Sequence, residues 1–199
     1  MASILKPCNS EHFMVDVFEL TPEFVRGEQL HDMFNGGTEC RGLKPGKYAQ
    51  LSHRCPNGAR GQTIMSDTWM ERRTNEPFVE AARGDVLIAG LGIGMVLLDV
   101  QDKDNVTSVT VVEKEQEVID LIEDQLPLRS KVMIVNDDIF TYRTDKRFDT
   151  IYFDIWDTIS GDNYPEMKKL HRKFARAKRP GGWMSSWRKE DCRKRAKDR

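Results

Sequence analysis

A chain of 199 residues with 39% hydrophobic content can bury one good core, which leaves room for one main domain and an appendage. Its formal net charge of -1 gives no global drive toward nucleic acid, and no apolar run approaches a membrane span. The N-terminal MASILKPCNSEH lacks a signal-peptide core, and the four cysteines include no Cys-x-x-Cys pair, so a soluble cytoplasmic protein without a disulfide frame is expected.

In chain order, Glu11 to Leu20 alternates apolar and polar residues and predicts a strand. Thr21 to Gly61 is punctuated by prolines and glycines and predicts a loop-rich appendage in which only Lys47 to His53 is strand-like. His31, Cys40, His53 and Cys55 in this region follow no zinc spacing, so no metal site is expected. The division this implies is a β- and loop-rich appendage or lid over 1–61 and a main domain over 62–199.

Thr63 to Met65 predicts a short strand. Thr68 and Glu71 have the spacing of a capping box, and Thr74 or Asn75 before Pro77 predicts a further helix start, with that helix ending at Gly84. Trp69 is either a core aromatic or a wall of a nearby ligand cleft. The most informative stretch, DVLIAGLGIGMV (85–96), reads as a buried strand, a turn carrying Gly90, Gly92 and Gly94, and a helix start. Glycines there let a ligand lie against bare backbone, beside the amides of a helix N-terminus.

Val106 to Val112 alternates β-branched residues as a second strand and discharges into Glu113. That residue lies about 20 positions past the glycines, the spacing at which a carboxylate meets nucleotide ribose hydroxyls in a doubly wound sheet. A helix is predicted from about Glu115 to Leu126, stopped by Pro127. A third strand, Lys131 to Val135, leads to Asp138, Ile139 and Phe140, which supply an acceptor and an apolar slot for an adenine ring; an Asp-based turn is the plain alternative.

The fourth strand, Phe148 to Phe153, ends in Asp154, Ile155, Trp156 and Asp157. There Asp154 is placed to orient or deprotonate an amine nucleophile, Asp157 to help hold a cationic substrate and Trp156 to wall the pocket; capping of the next turn is the alternative for both acids. A basic helix from about Pro165 to Lys178, a last strand over Trp183 to Trp187 and a charged tail complete the chain. The segment from Lys168 onward is read as a solvated basic face, with RNA, DNA or an acidic partner as the alternative. Strands alternating with helices from Asp85 predict an α/β, Rossmann-like doubly wound, mainly parallel sheet.

The order VLIAGLGIGM, VTVVEK, VNDDIF, FDTIYFDIWD and KRPGGWMSSW resembles class I S-adenosylmethionine-dependent methyltransferases, specifically their spermidine-synthase-like branch, over roughly Gln62 to Trp187. The resemblance implies S-adenosylmethionine as cofactor, held by Gly90, Gly92 and Gly94, by Glu113 at the ribose and by Asp138 with Ile139 at adenine, and makes Asp154 the counterpart of a catalytic aspartate. The glycine turn AGLGIGM lacks the aspartate that polyamine synthases carry inside it. Methyl transfer to a small-molecule amine or hydroxyl is therefore the first expectation, aminopropyl transfer from the decarboxylated cofactor the second, and a non-catalytic nucleotide-binding protein the third. The antiparallel pair that usually completes this sheet has no counterpart after the fifth strand, so its edge is expected to be covered by the N-terminal strands or by a second copy in a homo-oligomer.

Overall fold

A computed structural model of the protein describes residues 1–37 and 40–198. Thr38 and Glu39 of the expected loop region and Arg199 of the basic tail lie outside the described residues.

The main sheet has five strands, all parallel: β5 (Gly84–Ala89), β6 (Val106–Glu113), β7 (Val132–Asn136), β8 (Phe148–Phe153) and β9 (Lys178–Ser186), in the order β7-β6-β5-β8-β9. The glycine strand β5 is central, with Ala89 level with Val112 of β6 and Phe153 of β8. Its residues point alternately to the two faces, as a strand buried on both sides requires. Val86 and Ile88 join one core, and Leu87 and Ala89 join the other.

The first face is covered by α2 (Trp69–Ala81), α3 (Met95–Gln101) and α4 (Gln116–Ile122). On the second face, Leu170 and Phe174 from α5 (Asn163–Lys173) and its C-cap meet Ile139, with Phe140 and Tyr142 of the 137–147 crossover alongside. That crossover contains no helix.

The N-terminal region is a separate antiparallel sheet in the order β1 (Cys8–Asn9), β2 (Phe13–Leu20), β3 (Gly46–Arg54), β4 (Arg60–Ser66). Its residues Phe13, Val15, Ala49 and Leu51 belong to the same core as Val118, Ile119 and Ile122 of α4. The appendage is thus fused to the parallel sheet's first face by apolar packing and extends as far as Ser66.

Several element expectations need correction; the basic helix ends at Lys173 rather than Lys178, and the last strand begins at Lys178 rather than Trp183. Thr21 to Phe34 is not loop: Thr21 Oγ1 accepts the Phe24 N–H at 3.2 Å and caps α1 (Pro22–Phe34), with Pro22 in the first turn. Proline there removes only a donor that a helix start leaves unused. No second helix begins before Pro77, because α2 runs through it as one helix. The expected capping box does not form, since the Thr68 side chain makes no cap bond and meets Ser66 instead. The charged tail is a helix, α6 (Lys189–Lys197), seated beside α5. Among the described residues no helix is long and apolar enough to cross a membrane, and no cluster of metal-ligating residues forms.

Candidate functional site

A cavity of about 450 Å³ opens at the C-terminal ends of β5, β6, β7 and β8, the location at which open parallel sheets take ligands. The chain leaves β5 through Gly90 at φ +96° and Gly92 at φ +52°. A Cβ on Gly90 would stand 2.1 Å from the Asp154 backbone oxygen, so only glycine lets the ends of β5 and β8 lie this close. At Gly92 the bare Cα faces the Met65 thioether, whose sulfur accepts the Ile93 N–H at 3.3 Å. Gly94 lies outside the cavity lining and forms the left-handed N-cap of α3, packed on Leu126.

Glu113 is 9% exposed. Its Oε2 accepts the Leu91 N–H at 2.7 Å and its Oε1 accepts the Glu115 N–H at 2.9 Å. The carboxylate therefore fixes the glycine turn to the end of β6, and each oxygen keeps a second lone pair for another donor. Beyond β7, Asp138 accepts the Phe140 N–H at 2.8 Å in an Asx turn and has Lys114 Nζ at 4.0 Å. Ile139 is buried against the second core while also lining the cavity. Its N–H donates to no other described group.

Asp154 lines the opposite half of the cavity. Burial, reinforced by the charge of Glu71, pushes its carboxyl up to about 8. Glu71, on the first turn of α2, lines the same cavity and is pushed up to about 7 by burial, against the lowering influence of Arg188. Among the described residues no donor bonds to either carboxyl, so no hydrogen bond offsets the desolvation that raises them. Trp156 lines the cavity and is tethered through Nε1 to Glu166 at 2.9 Å, and Asp157 accepts Gln62 Nε2 at 2.9 Å. That last bond joins the antiparallel sheet to the loop after β8.

The structure thus brings Gly90, Gly92, Glu113, Asp138, Ile139, Asp154, Trp156 and Asp157 to one cavity, and leaves Trp69 out of it. The Trp69 ring packs on Gly42 and beneath the Arg73 guanidinium at 4.7 Å. Sequence reasoning missed Glu71, which it spent on a helix cap. Phe13, Leu51, His53 and Met65 were also missed; they form the wall supplied by the antiparallel sheet. The alternation along β2 and β3 carried a signal for Phe13 and Leu51, but nothing in the sequence aims that face at the glycine turn.

No family model matches the chain, and no curated protein does. Among solved structures it is similar to a DhpI-SAM-HEP complex, with 21% identity and a TM-score of 0.45 over 58% of this chain and 50% of that one. It is also similar to the CcbJ methyltransferase from Streptomyces caelestis, at 21% identity and a TM-score of 0.46 over 58% of this chain and 48% of that one. A third is the N-methyltransferase NodS from Bradyrhizobium japonicum WM9, at 18% identity and a TM-score of 0.48 over 62% of this chain and 72% of that one. The chain spans about half the length of the first two. The α/β architecture stands on the strand order itself.

Proposed function

We propose that the protein is an S-adenosylmethionine-dependent methyltransferase acting on a small molecule through an amine or hydroxyl. The observation that carries this reading is the division of one cavity into a backbone-rich half and a half with two protonatable carboxyls. The first half fits the cofactor. Glu113 retains lone pairs for two ribose hydroxyls, and Asp138 with the Ile139 N–H, which no described group accepts, matches the acceptor and donor that an adenine edge requires. The turn at Gly90 and Gly92 offers bare backbone to the methionine portion once Met65 moves aside.

When bound, the cofactor supplies an activated sulfonium methyl, so the protein's tasks are alignment, exclusion of water and removal of a proton. Asp154 and Glu71 perform the last of these. With carboxyls raised to about 8 and about 7, each exchanges its proton near neutral pH, the condition for an efficient general base. Ile155, Trp156 and Trp187 give the reacting half an apolar lining, and Asp157 favours a cationic group at its rim.

Calorimetric titration with S-adenosylmethionine, S-adenosylhomocysteine and the decarboxylated cofactor tests the reading. Binding of the first two in preference to the third is expected. Preference for the decarboxylated form would turn it into aminopropyl transfer, and binding of none would overturn it.

A further inference from the structure

Away from the cavity, charge is distributed unevenly. Between positions 168 and 179 stand Lys168, Lys169, Arg172, Lys173, Arg176, Lys178 and Arg179 without a single Asp or Glu, in a chain whose formal net charge is -1. Arg179 is engaged by Asp85 at 2.9 Å and by Asp149. The others occupy α5 and the segment that follows it.

The fold gives these cations a concave surface. A parallel crossover usually carries a helix that fills the sheet face it crosses. The β7-to-β8 crossover carries none, and a cleft of about 420 Å³ opens between it and the end of α5. Arg143, Lys146 and Arg147 line one wall, and Lys173 and Arg176 line the other; among the described residues Asp145 is the single acid in the lining. Lys146 is partly compensated by Asp85 at 3.7 Å. Among the described residues, no carboxylate forms an ion pair with Arg143, Arg147 or Arg176. Burial, followed by the charge of Arg143, pushes the Lys173 ammonium below its ordinary value. These cations repel one another across the cleft, and a bound anion would relieve that cost.

The basic track is longer than the cleft. Exposed Lys168, Lys169 and Arg172 continue it along α5, Lys168 lying over the Tyr164 ring at 5.0 Å and Lys169 over the Phe140 ring at 5.4 Å. Tyr142 lies in the cleft itself. Cations that track a backbone, interleaved with aromatic rings, are the pattern that binds single strands with little regard to sequence. We propose that the cleft and the outer face of α5 form a binding track for a single-stranded nucleic acid, with Arg143, Arg147 and Arg176 on its phosphates. The extension beyond the cleft favours a strand over a compact oligophosphate, and guanidinium forks match phosphate oxygens.

The test is fluorescence anisotropy of the full chain with labelled 12-nucleotide single-stranded RNA and DNA over a salt series, with tripolyphosphate and polyglutamate as competitors. Dissociation constants of about 1–100 μM at low salt are expected, with log affinity falling linearly against log salt. Arg143→Gln with Arg147→Gln should weaken binding at least tenfold and reduce the salt slope by about 1.4, or about 0.7 for each single-strand phosphate no longer neutralised. Lys173 is kept, because its Nζ holds the Ile139 carbonyl at 2.8 Å beside the main cavity. A thermal melt confirms that the double variant, altered only at exposed positions, remains folded. Absence of salt-dependent binding, binding unaffected by the double variant, displacement by polyglutamate at concentrations equal to those of the oligonucleotide, or binding of tripolyphosphate alone would each overturn the proposal. The assay needs no cofactor, so its result is independent of whether methyl transfer takes place.

Discussion

Glu113 and Asp154 both belong to the C-terminal rim of one parallel sheet and line one cavity, yet their surroundings are opposite. Glu113 receives two backbone amides, from Leu91 and Glu115. Among the described residues Asp154 receives none, and burial together with the charge of Glu71 in the same cavity pushes it up to about 8. The cause is local backbone geometry: the glycine turn and the start of α4 direct their amides at the end of β6, whereas the loop after β8 directs none at Asp154. A carboxylate held by amides is a positioned acceptor. One left without them exchanges its proton near neutral pH, and environment alone separates the two roles.

The comparison breaks most easily at Asp154. Asp154→Asn keeps the shape and removes the exchangeable proton, so turnover is expected to fall by about 10²–10⁴-fold, the range of general-base contributions, while cofactor affinity by calorimetry stays within a factor of two or so. Intact turnover would make Asp154 purely structural. Glu113→Ala acts on the other half. Loss of a charge-assisted acceptor should weaken cofactor binding by about 1–3 kcal/mol. It also strands the Leu91 and Glu115 amides, so the thermal midpoint should fall, whereas Asp154→Asn should raise it at pH 8.

The amide-held half was also the half legible in sequence. A β-branched strand ending in Glu113 at the right distance from Gly90 and Gly92 is a local pattern, and the parallel sheet follows from repeated strand and helix periods. Asp154 could be located because it too ends a strand. Glu71 could not, because its first-turn position on α2 fits a capping box equally well; only the placement of α2 against the end of β8 turns its side chain into the cavity. Met65, Leu51 and His53 were hidden for the same kind of reason: they arrive from a second sheet whose docking on α4 is a tertiary event. The helix α1 was obscured by its own start, where Thr21 and Pro22 read as loop punctuation and as a capped first turn alike.

The coupling between Glu71 and Asp154 gives a smaller and sharper effect. Because the Glu71 charge helps to raise the Asp154 carboxyl, Glu71→Gln should move the rising limb of the turnover-against-pH profile to lower pH by a fraction of a unit to about one unit, the pair titrating as a unit in the native protein. Stability follows with a defined sign. Both carboxyls bind their protons more tightly in the folded state than in the unfolded chain, where they titrate near pH 4. Their unfavourable contribution is thus absent below about pH 4, grows as pH rises, and is complete above about 8. Thermal midpoints measured from pH 4 to 9 should fall across that window in the native protein and fall less in Asp154→Asn and in Glu71→Gln. Parallel curves for all three would mean that the two carboxyls are not desolvated.

The least effect is expected at Met65, where the two halves meet. Its sulfur takes the Ile93 N–H at 3.3 Å and stands 2.0 Å from where a Cβ on Gly92 would be, so a ligand lying along the turn must displace a weak acceptor from an amide it needs for itself. Methionine suits that position because its unbranched chain moves aside at little cost. Met65→Ala removes the competitor together with some packing on the first core, where Met65 is a peripheral member. Cofactor affinity by calorimetry should therefore rise by a few-fold or less, and the thermal midpoint without ligand should drop slightly. A marked loss of affinity would instead mean that the thioether forms part of the wall the ligand rests on, and that the turn is read through Met65 rather than through bare backbone.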